Sequence, residues 1–400
     1  MVERGSVDMK KKRRSKRRRR SASGVLLLIV LLLVAGIGVV LARMLLSPKE
    51  GPAAVSPIET ELPLPQVTTS LQTPSVVVTE RPEKEDPESI LYQYLYEQVD
   101  GQQQVVNFTA EDMSMEQIGQ VLEQLQRQPE FFWLEGYELV GSGTEYQVKF
   151  DWKYTDLTTR REQVEQAAAQ ALAAIPKGAG DYETALSLHD WLCDHIVYQS
   201  SSDGSDQDLY GALVNGRCVC SGYSQAYVYL LRRAGIQAET VRGTADNGTG
   251  AQSHAWTKVV LDGEVYYTDV TWDDQETHPD GHTYSWFAVT SERMASTHFA
   301  EPERGAEMTP SSAVACNYHY RNGWVLEQFN TEELVRIFSS QTGGSLTVLA
   351  ADEAVYAQLM ELVQDGEAMT AVLEQAGYPV SQYTYFHSEG SLCLDLFLEA

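Results

Sequence analysis

Residues 24–42 run nineteen positions without a charged side chain, rich in Leu, Val and Ile, and they divide this chain of 400 residues. As a helix rising 1.5 Å per residue, such a run spans about 28 Å, close to the bilayer core of about 30 Å. Directly before it, residues 10–20 are Lys or Arg everywhere except Ser15. A basic flank ahead of a span marks the cytoplasmic side. The order predicts a cytoplasmic tail over 1–20, one transmembrane helix over 21–46, and an extracytoplasmic remainder. The expected place is the cell membrane, single-pass, with the N-terminus inside. A secretory signal carries a shorter apolar core of about 7–15 residues and a small-x-small cleavage site, neither of which fits this stretch. The basic block alone would also suit nucleic acid. The span behind it points to lipid headgroups as its partner instead.

Charge divides at the same place. Residues 1–20 hold 11 Lys and Arg against 2 acidic residues, and the other 380 hold 19 against 54. The part outside is thus strongly acidic, which keeps it soluble and repels nucleic acid. Residues 47–88 contain 8 of the 14 prolines. A segment of that composition forms an extended linker rather than a core.

Apolar periodicity resumes at about residue 89. Residues 89–160 read as a small α+β domain: helices near 89–99 and 114–127, strands near 105–108, 131–134 and 146–154. An Ala-rich helix over 161–175 opens the next domain, 161–310, and a second helix is expected over 182–197. Residues 311–400 read as a C-terminal α/β domain with a strand near 345–349, helices near 352–364 and 366–376, and strands near 382–387 and 391–397.

The chemistry concentrates in the middle domain. The five cysteines, 193, 218, 220, 316 and 393, are odd in number and sparse, so no disulfide framework is expected and at least one thiol stays free. Cys220 precedes a helical stretch in which Tyr223, Ala226, Tyr227, Leu230, Leu231 and Ala234 recur every three or four positions, closed by Gly235. A helix N-terminus favours thiolate over thiol, and its free N–H groups can receive an oxyanion. Gly222 is expected to ease the turn there.

Further on, Leu261-Asp262-Gly263-Glu264 is a two-residue hairpin signal. With Asp262-Gly263 as the loop, Trp256 should face Asp269 and His254 should face Thr271. His254 and Asp269 then become diagonal neighbours on one face. A thiol, an imidazole and a carboxylate so placed are a nucleophile, its base and the group that orients the base. Each residue also has a plainer reading: a small buried thiol, a core histidine, a capping aspartate.

Three blocks carry a resemblance. Tyr210-Gly211-Ala212-Leu213-Val214-Asn215-Gly216 with Cys220-Ser221-Gly222-Tyr223, then His254-Ala255-Trp256, then Asp269-Val270-Thr271-Trp272-Asp273-Asp274 resemble the nucleophile, histidine and aspartate blocks of the transglutaminase-like superfamily. Tyr284-Ser285-Trp286-Phe287 with Met294 and His298 is similar to the stretch downstream of the aspartate block in its bacterial cell-surface members. The resemblance implies an α+β papain-like core, with a cysteine-bearing helix packed on an antiparallel sheet that carries His and Asp. It implies catalytic roles for Cys220, His254 and Asp269. Three positions depart from the family's usual residues: Cys218 for a Gly or other small residue, Thr257 for Asn, and Ser224 for Ala. None removes a member of the triad.

Two metal readings compete for the same residues. Cys218, Cys220 and His254 lack zinc-type ligand spacing. Asp273 and Asp274 lack the oxygen-rich loop of a calcium site. No metal or cofactor is expected. The implied activity is acyl transfer on amide bonds through a Cys220 thioester, resolved by water or by an amine, on a protein or peptide substrate that includes cell-wall material among its candidates. The competing reading is a non-catalytic cell-surface binding module on the same fold.

Overall fold

The computed structural model describes residues 3–8, 86–202, 204–275, 278–388 and 390–399. The expected span over 21–46 and the linker lie outside the described residues. Among the described residues, no helix is long and apolar enough to cross a membrane.

The first helices form as their apolar spacing dictates. Met115–Gln126 buries Ile118, Val121, Leu122 and Leu125 on one face, and Ser114 and Gln117 close a reciprocal capping box at its start. This helix and Pro87–Asp100 accompany a three-stranded antiparallel sheet in which Glu145–Trp152 lies between Val105–Thr109 and Leu134–Ser142. The strand expected near 131–134 is not there. Pro129–Phe131 is a 3-10 turn, and the strand is Leu134–Ser142. That strand keeps no side chain buried, so it shows no apolar alternation to read.

The middle of the chain builds a four-stranded antiparallel sheet in the order His298–Ala300, Ala238–Ala245, Gln252–Leu261, Glu264–Thr268. One face is covered by the helix Cys220–Arg233, whose Tyr223, Tyr227, Leu230 and Leu231 are fully buried. Each such side chain contributes about 1.5–3 kcal/mol on leaving water. Val241, Trp256, Tyr267, Trp286, Val289 and Met294 form a separate apolar layer. Buried residues from Leu91 to Cys316 make one continuous core, so residues 89–160 pack into the same interior as the cysteine helix.

A second core fills the C-terminal part. Here Cys393–Glu399 lies between Gln382–Ser388 and Ser345–Ala350, and Val325–Leu326 adds a short parallel strand. The helix Thr331–Ser339, unexpected from the sequence, buries Leu334, Ile337 and Phe338. Glu3–Asp8 lies antiparallel along Gln382–Ser388 as the edge strand.

Candidate active site

The nucleophile segment is fixed from both sides. Val197–Tyr198 pairs in parallel with Arg217–Cys218, and the Val219 N–H donates to the Asp206 carbonyl at 3.0 Å. The helix then starts at Cys220 with no side chain capping its N-terminus. The first N–H groups of the helix therefore stay available beside the thiol. Gly222 does not serve a turn as expected; it lies inside the first helical turn. A Cβ there would sit 2.4 Å from Cys218 Cβ and 3.0 Å from the Asp206 carbonyl, so the residue permits close packing. Cys218 is buried against that glycine, and burial pushes its thiol far up, which makes it inert beside the partly exposed Cys220.

The hairpin forms in the expected register, with Leu261 opposite Glu264 and Thr257 opposite Thr268. Asp262 and Gly263 both have positive φ, 51° and 84°, as this turn type requires. The strand ends at Thr268, so the expected Trp256–Asp269 and His254–Thr271 pairs do not form. Asp269 instead caps the helix Val270–Asp273, accepting from the Thr271 N–H at 3.0 Å and the Trp272 N–H at 3.3 Å. A capping carboxylate satisfies backbone donors that a strand residue would leave elsewhere, and this ends the strand three residues short of the expected Thr271.

The contact that matters survives this change. His254 Nε2 lies 2.6 Å from Asp269 Oδ2. Cys220 acts on the same ring, by charge and by hydrogen bonding. Burial alone would lower the His254 pKa, but the charge and hydrogen bond of Asp269, helped by Cys220, raise it to about 10. Burial would raise Asp269, but the two imidazoles hold its carboxyl far below the usual range. The structure thus brings Cys220, His254 and Asp269 together, with His254 holding its proton against the Asp269 carboxylate.

His298 is a fourth participant, one that spacing alone does not single out. Its Nε2 lies 3.0 Å from Asp269 Oδ2, the same oxygen that His254 holds, and its Nδ1 lies 2.8 Å from Thr297 Oγ1. The ring sits among Trp256, Trp272 and Trp286 at centroid distances of 4.9, 4.4 and 5.1 Å. Burial lowers its pKa more than Asp269 raises it, so His298 donates as a neutral ring while His254 carries the proton. Its only sequence signal is its place after Met294 in the family resemblance.

The two hydroxyl departures meet each other. Ser224 Oγ donates to the Trp256 carbonyl at 2.9 Å and lies 3.1 Å from Thr240 Oγ1 and 3.4 Å from Thr257 Oγ1. They join the cysteine helix to the histidine strand.

A second buried network braces the aspartate helix. His189 Nε2 lies 3.2 Å from Asp273 Oδ2, and its Nδ1 lies 3.1 Å from Asp190 Oδ1. Asp273 Oδ1 also accepts from Thr283 Oγ1 at 2.8 Å and the Trp286 N–H at 2.9 Å. Burial would lower the His189 pKa, but the two carboxylates raise it to about 9. Among the described residues, His254, Asp269 and His298, and likewise His189, Asp190 and His282, bring metal-ligating atoms close together. Both imidazoles of the first group hydrogen-bond the carboxylate; in the second His189 does so, while His282 Nε2 meets the Tyr284 hydroxyl at 3.0 Å and lies 3.5 Å from Asp190 Oδ1, and Cys218 enters neither group.

Residues 166–289, about a third of the chain, match the family model of the transglutaminase-like superfamily. Solved structures similar to this chain include a TGase (14% identity, 36% of this chain and 46% of that one, TM-score 0.26). The periplasmic domain of TgpA from Pseudomonas aeruginosa bound to ethylmercury is similar at 20% identity over 32% of this chain and 55% of that one, TM-score 0.22. An arylamine N-acetyltransferase from Bacillus cereus is similar at 17% identity over 27% and 49%, TM-score 0.21. The chain spans about half the length of these structures. Comparison with curated proteins found no match. Residues 166–289, which hold Cys220, His254 and Asp269, are thus a match to the transglutaminase-like superfamily.

Proposed function

We propose that this protein is a membrane-anchored, extracytoplasmic cysteine enzyme that transfers acyl groups from amide bonds through a Cys220 thioester. The observation that carries the reading is the 2.6 Å contact of His254 Nε2 with a buried Asp269 carboxylate, on a ring that Cys220 also acts upon. An imidazole oriented by a carboxylate is placed to take a thiol's proton and to return it to a leaving group.

Cys220 Sγ attacks the amide carbonyl carbon, and the oxyanion forms beside the uncapped N–H groups of the helix. His254 gives its proton to the leaving amine as the C–N bond breaks, and a thioester remains. Water or a primary amine then adds to the thioester carbonyl and loses a proton to His254, and the Cys220 thiolate departs. Water yields a carboxylic acid, so the net reaction is hydrolysis. An amine yields a new amide, so the net reaction is crosslinking. The substrate is a protein or peptide at the cell surface.

Anchoring rests on the uncharged run over 24–42 and the basic block before it. A chain that spans the bilayer there has residues 3–8 across the membrane from Gln382–Ser388. That topology and the edge pairing of Glu3–Asp8 exclude each other within one molecule.

The test is incubation of the full-length protein in detergent with a glutamine-containing peptide library and a fluorescent primary amine. Amine incorporation or ammonia release that disappears in Cys220→Ala is the expected result. Product formation equal in Cys220→Ala, or none from any peptide, would contradict the reading.

A further inference from the structure

Arg242 is a partly buried cation with nothing to pair with. Its guanidinium makes no hydrogen bond or ion pair among the described residues, and it lines a cavity of about 210 Å³. Two other arginines line the cavity, and each is held: Arg127 by Glu123 and the Glu303 carbonyl, Arg232 by the Ala238 carbonyl and Gln128. Glu239 is the one carboxylate on the wall, and it pairs with Lys258 at 3.5 Å. A partly buried cation without a counter-charge, on the wall of a cavity, suits an anion that arrives from outside.

The cavity lies on the sheet face that the cysteine helix covers, opposite to the face His254 shares with Gly243. Gly243, next to Arg242, pairs with His254 across the sheet. Alternation along the strand sends Arg242 to the face shared with Thr240, which meets Ser224 of the cysteine helix. Val228 and Arg232 of that helix complete the wall. Val228 is eight residues beyond Cys220, about 12 Å along the helix, which an extended peptide covers in roughly four residues. Burial lowers the Arg242 pKa and Arg127 and Arg304 lower it further, while the only opposing influence is Cys220 itself.

We infer that Arg242 receives a carboxylate side chain of the acyl-donor peptide, two to four residues (a rough span) from the amide that Cys220 attacks. This rests on the acyl-transfer reading and gives it a substrate class: an acidic peptide. The chain's formal net charge of -26 works against such a ligand at long range, so a preference for it requires a local site.

The experiment uses the full-length protein in detergent and a pair of glutamine-centred heptapeptides. One carries Glu at the flanking positions and the other carries Gln there. Each peptide is titrated against alkylation of Cys220 by iodoacetamide, read by mass spectrometry. Protection is scaled to the same variant's unprotected rate. The acidic peptide is expected to protect at about tenfold lower concentration than its neutral twin. That ratio should fall to near one in Arg242→Gln and stay largely intact in Arg242→Lys, which keeps the charge. Equal protection by both peptides on the native protein would overturn the inference, as would a ratio that survives Arg242→Gln. Protection by inorganic sulfate at the acidic peptide's concentration would overturn the peptide assignment. The unprotected rate and its dependence on His254 report separately on the acyl-transfer reading, so the two can fail independently.

Discussion

Asp269 carries more of this site than a third triad member usually does. Its two oxygens take four donors: the Thr271 and Trp272 N–H groups on one, His254 and His298 on the other. Helix cap and base orienter are therefore one carboxylate. His298 shares the oxygen that steers His254, and three tryptophans surround its ring. His298→Leu removes a hydrogen bond to a buried charge and is expected to cost about 2 kcal/mol. His298→Gln, which still carries a donor, should recover about half of that loss. Urea unfolding of both variants checks this, and equal losses in the two would contradict the donor role.

Two elements must hold register for the thiol to meet the ring, and each joint is polar. Ser224 and Thr257 join helix to strand where the family more often has Ala and Asn. Their hydroxyls are 3.4 Å apart, so the two departures are expected to be coupled by about 0.5–1 kcal/mol in a double-mutant cycle of Ser224→Ala and Thr257→Val. Strict additivity in thermal melts would show that they are independent. The other joint is His189, which braces the aspartate helix through Asp273. Its folded pKa of about 9 lies above the ordinary histidine value. The stabilisation is thus full below about pH 6.5 and is lost as pH rises through about 9, and it amounts to at most about 3 kcal/mol. His254 titrates high for the same reason and adds to the loss over a similar range. In His189→Gln, stability measured from pH 6 to pH 10 should fall less steeply than in the native chain, and an unchanged slope would contradict the buried charge. These joints are only partly legible in the sequence. The hairpin is readable because Asp262-Gly263 dictates its turn. The strand's early end is not, because capping by Asp269 competes locally with pairing. His189 lies on the apolar face marked by Ala185, Leu188 and Leu192, and a titratable group there is the signal available for a buried ion pair. Leu134–Ser142 escapes notice because none of its side chains is fully buried.

The whole molecule divides by charge and by core. One interior runs from Leu91 to Cys316 and a second fills the C-terminal part. The cysteine, histidine and aspartate blocks are legible as local motifs, whereas the merging of residues 89–160 into the cysteine helix's core depends on contacts distant in sequence. Anchoring predicts that a cysteine introduced at Ser6 in the Cys220→Ala chain, followed by mass spectrometry of its own peptide, is labelled by a membrane-impermeant maleimide only after cells are permeabilised. Labelling of that peptide in intact cells would place the N-terminus outside. Acyl transfer as a whole depends on Cys220 being an activated thiolate. The most direct measurement is the pH dependence of its alkylation by iodoacetamide in the full-length protein, beside His254→Ala and Asp269→Asn. Rapid labelling below pH 7 that drops by about tenfold or more in either variant is the predicted result. Labelling like that of a free thiol with a pKa of about 8.5, unchanged in both variants, would contradict it.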